Sequence, residues 1–187
     1  MNAADKGAMA AVLGLERDAL QAVLDQIDDI VVIANDNCPG QLVISGSPTG
    51  VSRAGELAVA NGAKRVLPLN VSGAFHSPLM KDSADQMALT LAKATWQNQQ
   101  IPVISNTIAE AVSDSSKWAD LLERQLASSV RWTESMKVLG EVPEIELAFE
   151  FGSGEVLTGL MKRINKELPS MGINDSATVA AAKERIN

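Results

Sequence analysis

The sequence predicts an α/β protein that contains an α+β module, with the module over residues 6–70 and a longer α/β portion over residues 71–187. Two observations support this division. Short apolar runs alternate with apolar residues at helical spacing along the whole chain, which is the pattern of mixed α/β domains. Within residues 6–70 a pair of apolar runs follow each other without a helix between them, whereas helical patterns separate the strands of the longer portion.

The module has the predicted order β-α-β-β-α-β. Apolar runs at residues 9–13, 30–33, 42–44 and 66–69 predict four strands. Two helices are predicted by apolar residues at helical spacing, which are Leu20, Val23, Leu24 and Ile27 for one and Val51, Ala54, Leu57 and Ala58 for the other. Residues 35–41 contain Asn and Pro-Gly and predict a turn. This order is that of the ferredoxin-like module, and it also suits small regulatory domains that bind ligands.

The longer portion, residues 71–187, is predicted to alternate helices with short strands. Apolar spacing predicts a helix from Met80 to Leu91 and further helices near residues 118–126, 136–139 and 156–164. Strands are predicted at residues 101–105 and 145–151, with a polar loop at 106–116. The tail predicts a weak strand at residues 171–173 and an Ala-rich helix that Ser176 caps.

Composition restricts the class of function. A net charge of −7 without a basic block argues against nucleic acid as a partner, because phosphate binding needs clustered Lys and Arg. No apolar run approaches the 18 or so residues of a membrane span, and the first residues lack the features of a signal peptide, so no membrane partner is expected. The single cysteine, Cys38, cannot form an internal disulfide, which favours a reducing, cytoplasmic location. We expect no metal site and no cofactor.

The only histidine of the chain, His76, stands between a strand pattern and a helix pattern. Imidazole is the side chain whose unperturbed titration falls near neutral pH, which makes His76 the first candidate for proton transfer. On position alone, an exposed loop histidine is the simpler interpretation. Ser72 and Ser77 are too close in sequence to His76 to be favoured as its nucleophile, since triad members normally come from separate loops.

The segment around His76, Gly-Ala-Phe-His-Ser-Pro-Leu-Met, resembles the catalytic-histidine motif of the malonyl-CoA:acyl carrier protein transacylases. Four further segments resemble that family in the same order and at similar spacings, and they favour the catalytic interpretation of His76. The five segments are residues 7–15, 35–41, 73–80, 124–132 and 150–160. Two positions depart from the family pattern, since Pro is usual where Ser153 stands and an aromatic residue is common where Asp36 stands.

The resemblance implies a ferredoxin-like small subdomain inserted into an α/β hydrolase-like acyltransferase domain, with the catalytic cleft between the two. It also implies that this chain is the carboxyl-terminal portion of such an enzyme. The family nucleophile is a Ser in Gly-His-Ser-Leu-Gly, and this sequence contains no Gly-x-Ser-x-Gly. The upstream Arg that binds the malonate carboxylate is likewise not found. We therefore expect the segment that carries both to be needed to complete the site, and the strands at 101–105 and 145–151 to lack neighbours.

The resemblance assigns a role to each candidate site residue. His76 is the general base, and the main-chain carbonyl of Gln125 accepts its Nδ1 proton. Asn37 and Gln41 face the acyl or pantetheine groove, although Asn37 suits a stabilised turn equally well. Phe75 resembles the residue that accompanies malonyl rather than methylmalonyl selection.

Coenzyme A thioester and acyl carrier protein are the partners that the resemblance implies. Both are anionic, so their attraction to an acidic chain must come from local basic patches. The available patches are Lys64 with Arg65, and Lys162 with Arg163 and Lys166. The competing hypothesis is a non-catalytic ferredoxin-like module that binds acyl carrier protein or a small ligand.

Overall fold

The structure, a computed structural model, describes residues 7–186 and divides into two compact units with the boundary between Ser135 and Met136. The content of helix and strand confirms the mixed class. The predicted boundary between residues 70 and 71 lies inside the first unit, and that finer subdivision stays a prediction. No helix in the described range of the chain is both long and apolar enough to cross a bilayer.

The first unit is built on a four-stranded antiparallel sheet with the strand order β2-β3-β1-β4. The predicted order of elements is observed. The bounds are β1 (Ala8–Leu13), α1 (Arg17–Leu24), β2 (Val31–Cys38), β3 (Gln41–Gly46), α2 (Pro48–Ala60) and β4 (Arg65–Pro68). Strands β2 and β4 are the edges of this sheet, while β1 and β3 lie in its centre.

Alternation of side chains along each strand gives this sheet two different faces. One face packs against α1 and α2 and forms the larger core, in which Val12, Leu20 and Ile44 are fully buried. The other face is smaller and consists of Met9, Ala34 and Val43 with Ala11 and Phe75 packed against them. Because both helices cover the first face, the second face is available to the segment that carries His76.

The turn between β2 and β3 is shorter than the sequence predicted. Strand β2 continues through Cys38 and β3 begins at Gln41, so only Pro39 and Gly40 connect them. Gly40 has φ 70°, and a proline followed by a residue with positive φ suits the two central positions of a tight turn. The remaining irregularity appears within β2 as register shifts between Ile33 and Asn35 and between Asp36 and Cys38.

The rest of the first unit contains a second, smaller sheet. Helix α3 (Lys81–Leu91) is followed by strands β5 (Val103–Ser105) and β6 (Glu110–Val112), then by α4 (Trp118–Gln125) and α5 (Trp132–Gly140), which crosses the unit boundary. Strands β5 and β6 pair antiparallel. Two predictions were therefore wrong here: residues 106–116 are not entirely loop, and the strand near 101–105 has a neighbour.

The second unit has the order β7 (Ala148–Phe151), α6 (Val156–Ile164), β8 (Ser170–Ile173) and α7 (Ser176–Ile186). Strands β7 and β8 pair in parallel, so the expectation of an unpaired strand at 145–151 was also wrong. Ser176 was predicted to cap α7. The carboxylate of Asp175 instead accepts the backbone N–H of Thr178 at 2.8 Å, which makes Asp175 the capping side chain.

Ile44 is expected to be a large contributor to the stability of the first unit, because its side chain is fully buried between the sheet and the helices. Replacement Ile44→Ala should lower the free energy of unfolding by about 2–5 kcal/mol. The control is Ile101→Ala, since Ile101 is 77% exposed and its loss should cost about 0.5 kcal/mol or less. Urea unfolding of both variants checks this, and equal losses would contradict the assigned core.

Glu150 should make the stability of the second unit depend on pH. Its carboxylate accepts the backbone N–H groups of Thr158 at 2.7 Å and Leu157 at 3.0 Å, and these bonds hold the pKa of Glu150 below its ordinary value of about 4.5. A lowered folded pKa stabilises the fold above the unfolded pKa, and this contribution disappears as the pH falls through the folded pKa.

The test compares the unfolding of the unchanged protein with that of Glu150→Gln across pH 2 to 7. The stability difference between them should be largest above about pH 4.5 and should shrink toward acid, because a neutral carboxyl resembles the amide. Asp175 also has a lowered pKa but is present in both proteins, so the difference isolates Glu150. A difference that stays constant with pH would refute this role.

Candidate functional site

His76 lies on a turn whose backbone is held in an uncommon conformation. Its φ is 59°, in the left-handed region that residues other than glycine rarely occupy. The backbone N–H of His76 donates to the carbonyl of Leu126 at 3.0 Å, which ties the turn to the end of α4. A short 3₁₀ turn at Pro78–Met80 follows and leads directly into α3.

The imidazole of His76 is half-buried and contacts a main-chain carbonyl. Its Nδ1 lies 2.9 Å from the carbonyl oxygen of Gln125, the contact that the family resemblance implied. Because a carbonyl oxygen only accepts hydrogen bonds, this contact places the ring proton on Nδ1 and leaves the Nε2 lone pair to accept a proton. A neutral imidazole in this tautomer is the form that a general base requires.

The end of α4 explains why this carbonyl can bind the ring. The last carbonyls of a helix have no partner within the helix, and Gln125 is the last residue of α4. The next residue, Leu126, accepts the backbone N–H of His76. Two consecutive carbonyls at one helix end therefore hold both the side chain and the backbone of the same histidine.

Ser77 stabilises the turn instead of acting as a nucleophile. Its side chain is fully buried, and its hydroxyl donates to the carbonyl of Ala74 at 2.7 Å. The same oxygen accepts the backbone N–H of Leu79 at 3.3 Å. Because this oxygen is fully buried and its proton is bound to Ala74, a hydrolase built from Ser77 and His76 is disfavoured.

The other predicted site residues lie on or near β2 and β3. Phe75 packs against Met9, Ala34 and Val43 on the sheet face away from α1 and α2. Gln41 is two residues from Val43 on β3, so it points to the same face. Asn37 lies in β2 at the register shift between Asp36 and Cys38, within a strand and not in the predicted turn. Their roles toward a substrate stay predictions.

The segment after α4 is fastened to the edge of the sheet. The backbone of Val130 donates to Ala34 at 2.8 Å and accepts from Asp36 at 2.9 Å, so it extends the sheet beyond β2. The buried carboxylate of Asp36 accepts the Thr133 hydroxyl at 2.6 Å, and its second oxygen lies 3.6 Å from a guanidinium nitrogen of Arg17. This position departs from the family pattern, and Asp36 here joins the sheet to the start of α5.

Arg131 joins the same segment to the β5–β6 hairpin. Its backbone N–H donates to the carbonyl of Asn106 at 2.9 Å, and its guanidinium donates to the carbonyl of Ile108 at 2.9 Å. The guanidinium also pairs with Glu134, whose hydrogen bond raises the pKa of Arg131. Because Arg131 is bound from two sides, it fixes the turn of the hairpin.

One polar residue of that hairpin turn reaches the site and was not found from the sequence. Thr107 is 7% exposed, and its hydroxyl oxygen lies 2.8 Å from the end of the Gln125 side chain. The predicted polar loop gave no indication of this contact, because a threonine there also suits a solvated turn. Among residues 7–186, no three His, Cys, Asp or Glu side chains are grouped closely enough to hold a metal ion.

An imidazole whose Nδ1 faces a main-chain carbonyl, held between an antiparallel sheet and a helix end, is an arrangement that suits proton transfer of the kind that acyl-transfer enzymes use. Comparison with known proteins agrees with this class. The model of the acyl transferase domain family matches residues 1–149, and the chain belongs to that family.

The similar proteins are malonyl transacylases. The chain is 42% identical over 183 residues to the malonyl CoA-acyl carrier protein transacylase of Bacillus subtilis, a match that covers 96% of this chain and 57% of the relative. An acyl carrier protein S-malonyltransferase from Vibrio cholerae superposes with a TM-score of 0.91 at 44% identity, covering 96% of this chain and 59% of the other.

A third similar protein is a malonyl-transacylase solved in complex with a type II PKS acyl-carrier protein. It has a TM-score of 0.93 at 37% identity and covers 97% of this chain and 59% of the other. The chain thus spans a little under three-fifths of the length of the relatives it matches.

The left-handed backbone of His76 gives a stability test that is independent of chemistry. His76→Gly and His76→Ala both remove the imidazole and its bond to Gln125, but only alanine keeps a Cβ at φ 59°. The glycine variant should therefore be more stable than the alanine variant by about 1 kcal/mol. Thermal and urea unfolding measure the difference, and a more stable alanine variant would show that the turn is not strained.

Proposed function

We propose that this chain carries the general-base portion of a malonyl-CoA:acyl carrier protein S-malonyltransferase of fatty acid biosynthesis. The observation that supports it best is the 2.9 Å bond from His76 Nδ1 to the Gln125 carbonyl, since it leaves Nε2 as a proton acceptor. In this proposal residues 6–70 are a ferredoxin-like small subdomain and residues 71–187 belong to the large, α/β hydrolase-like acyltransferase domain. The antiparallel strand order β2-β3-β1-β4 supports the first of these assignments.

The first half-reaction loads the acyl group onto the enzyme. Nε2 of His76 accepts the proton of the nucleophilic serine hydroxyl, which is expected from the Gly-His-Ser-Leu-Gly segment of the family. The serine oxygen attacks the thioester carbonyl, the carbon–sulfur bond breaks, and an oxygen ester forms. The coenzyme A sulfur leaves with the proton that the imidazole returns.

The second half-reaction reverses the roles of oxygen and sulfur. The phosphopantetheine thiol of acyl carrier protein gives its proton to Nε2 and attacks the ester carbonyl. The serine oxygen leaves and takes the proton back, so the enzyme returns to its starting state. This sequence needs protein groups, a thioester and a thiol, and we assign it no metal or cofactor.

Three residues are proposed to contact the substrate. Phe75 stands beside the base, where a rigid ring would oppose a methyl branch on the acyl group, an effect of about 1–3 kcal/mol. Gln41 lies on the same sheet face and offers an amide that bonds carbonyl groups without adding charge. Asn37 is assigned the same kind of contact at the end of β2.

Acyl carrier protein is proposed as the macromolecular partner, in a cytoplasmic setting. The chain carries a net charge of −7, so an anionic carrier must be attracted by local patches. Lys64 and Arg65 are exposed at the start of β4, and the other patch, Lys162, Arg163 and Lys166, lies on and after α6. These two patches are the proposed contacts.

The test adds the family segment with Gly-His-Ser-Leu-Gly, taken from the Bacillus subtilis relative, to the 187-residue chain as a second polypeptide. Transfer of radiolabelled malonyl from coenzyme A to acyl carrier protein is then measured. We expect transfer with the unchanged chain and a loss of at least about 100-fold with His76→Ala, since general bases contribute that much or more. Met87→Ala, an exposed change on α3, is the matched control and should transfer normally.

Two outcomes would contradict the proposal. Transfer that survives His76→Ala would show that the histidine is not the base. Carrier binding without transfer, in a mixture whose two polypeptides form a stable complex, would favour the non-catalytic module.

A further inference from the structure

A chain of polar contacts reaches His76 from the β5–β6 hairpin. The hydroxyl oxygen of Thr107 lies 2.8 Å from the side-chain oxygen of Gln125 and 3.4 Å from the carbonyl oxygen of Leu121. The side-chain nitrogen of Gln125 lies 3.3 Å from His76 Nδ1, next to the 2.9 Å contact of Nδ1 with the Gln125 main chain. Gln125 therefore contacts the ring with both its main chain and its side chain.

When the Gln125 amide oxygen faces Thr107, the amide N–H faces Nδ1 of His76, and the contact between the amide and the ring then has two donors and no acceptor. The main-chain carbonyl requires the proton on Nδ1, so an amide N–H that also points at Nδ1 opposes a second N–H. A half-turn of the carboxamide exchanges its oxygen and nitrogen at the same positions. The amide oxygen then accepts from Nδ1–H, the amide N–H donates to the Thr107 hydroxyl, and that hydroxyl donates to the Leu121 carbonyl. Each of these three contacts then joins a hydrogen-bond donor to an acceptor.

We propose that Thr107 is a positioning residue, whose hydroxyl holds the Gln125 carboxamide with its oxygen toward His76 and so reinforces the Nδ1–H tautomer. The hydroxyl can do this because it can accept from the amide N–H while it donates to the Leu121 carbonyl. Because Thr107 is only 7% exposed, water does not compete with the Gln125 amide for its hydroxyl. The arrangement gives His76 two oxygen acceptors at Nδ1, and both come from one residue.

The inference rests on the proposed role of His76 as the general base, because only the Nδ1–H tautomer leaves Nε2 to accept a proton. Its test measures the tautomer directly and does not depend on catalysis. Loss of the tautomer effect with intact transfer activity would overturn the role of Thr107 alone. An intact tautomer effect, together with transfer that survives His76→Ala or with no transfer by the unchanged chain in a stable complex, would overturn the proposed function alone.

The experiment uses the 187-residue chain with ¹⁵N-labelled histidine. Because His76 is the only histidine, its two ring nitrogens give one unambiguous pair of signals. The ¹⁵N chemical shifts, measured at a pH where the ring is neutral, report the ratio of Nδ1–H to Nε2–H forms. Backbone amide spectra of each variant show whether its fold is unchanged.

Thr107→Val removes the hydroxyl and keeps the shape of the side chain. The freed carboxamide can then present its N–H to Nδ1, which favours the other tautomer. We expect the ratio of Nδ1–H to Nε2–H to fall about two- to tenfold, the effect of one net hydrogen bond. Thr107→Ser keeps the hydroxyl and should restore the ratio of the unchanged chain.

Gln125→Met provides the second variant, because it removes the carboxamide and keeps the main-chain carbonyl. It should also lower the Nδ1–H ratio, and Thr107→Val added to Gln125→Met should change nothing further. The proposal is overturned by an unchanged ratio in either folded single variant, by a ratio in Thr107→Ser as low as in Thr107→Val, or by a full Thr107→Val effect on the Gln125→Met background. If Thr107→Val fails to fold, the Gln125→Met and Thr107→Ser ratios still decide.

Discussion

The bond from His76 Nδ1 to the Gln125 carbonyl is the interaction on which the site depends. It requires a helix that ends at Gln125, because a residue in the helix interior has its carbonyl occupied by the helix itself. It also requires a turn that holds the imidazole against that helix end, and the bond from the His76 backbone to Leu126 supplies it. The strained backbone at His76 is stable because these two bonds and the buried Ser77 hydroxyl fix the turn from both sides.

The same helix end must in turn be held relative to the sheet, and Asp36, Val130 and Arg131 do this. Val130 adds to the edge of β2 through two backbone bonds, and the Asp36 carboxylate binds Thr133 just beyond it. Arg131 fastens the β5–β6 hairpin to the same segment. Position 36 shows how a departure from a family pattern is accommodated, since a buried carboxylate is tolerated here only because Thr133 and the Arg17 guanidinium are close to it.

The order of elements in the first 70 residues followed from the sequence pattern, whereas the partner of His76 followed from the family resemblance. The four strands and two helices follow from local apolar patterns, and those patterns record which face each side chain buries. The contact with Gln125 came only from the resemblance, because nothing about a glutamine on a helix indicates that its main chain binds a ring 49 residues earlier. Thr107 was missed because the left-handed position of its hairpin turn is Ala109, with φ 55°, where a glycine or asparagine would have indicated a tight turn between two strands. Strand β6 was missed because three residues carry too little periodicity to be assigned. The strands that became β7 and β8 were both predicted, but their pairing was missed because the resemblance placed the neighbours of residues 145–151 in another segment of the family.

The two kinds of sheet in this chain differ in how far they stabilise themselves. The four-stranded sheet buries Val12, Ile44 and their neighbours under two helices, and it has a core of its own. The two-stranded sheets are more exposed, since Val103 on β5 is 45% exposed and Phe151 on β7 is 78% exposed. On the hairpin, Val112 of β6 is buried against Trp118 and Leu121 of α4. The β5–β6 hairpin is therefore held in place by two kinds of contact besides strand pairing, namely the packing of Val112 and Ile108 against α4 and the bonds of Arg131 to Asn106 and Ile108. It follows that the His76 ring is positioned mainly from the side of the four-stranded sheet and α4, and that the position of Thr107 depends partly on an arginine whose hydrogen bonds go to neither His76 nor Gln125.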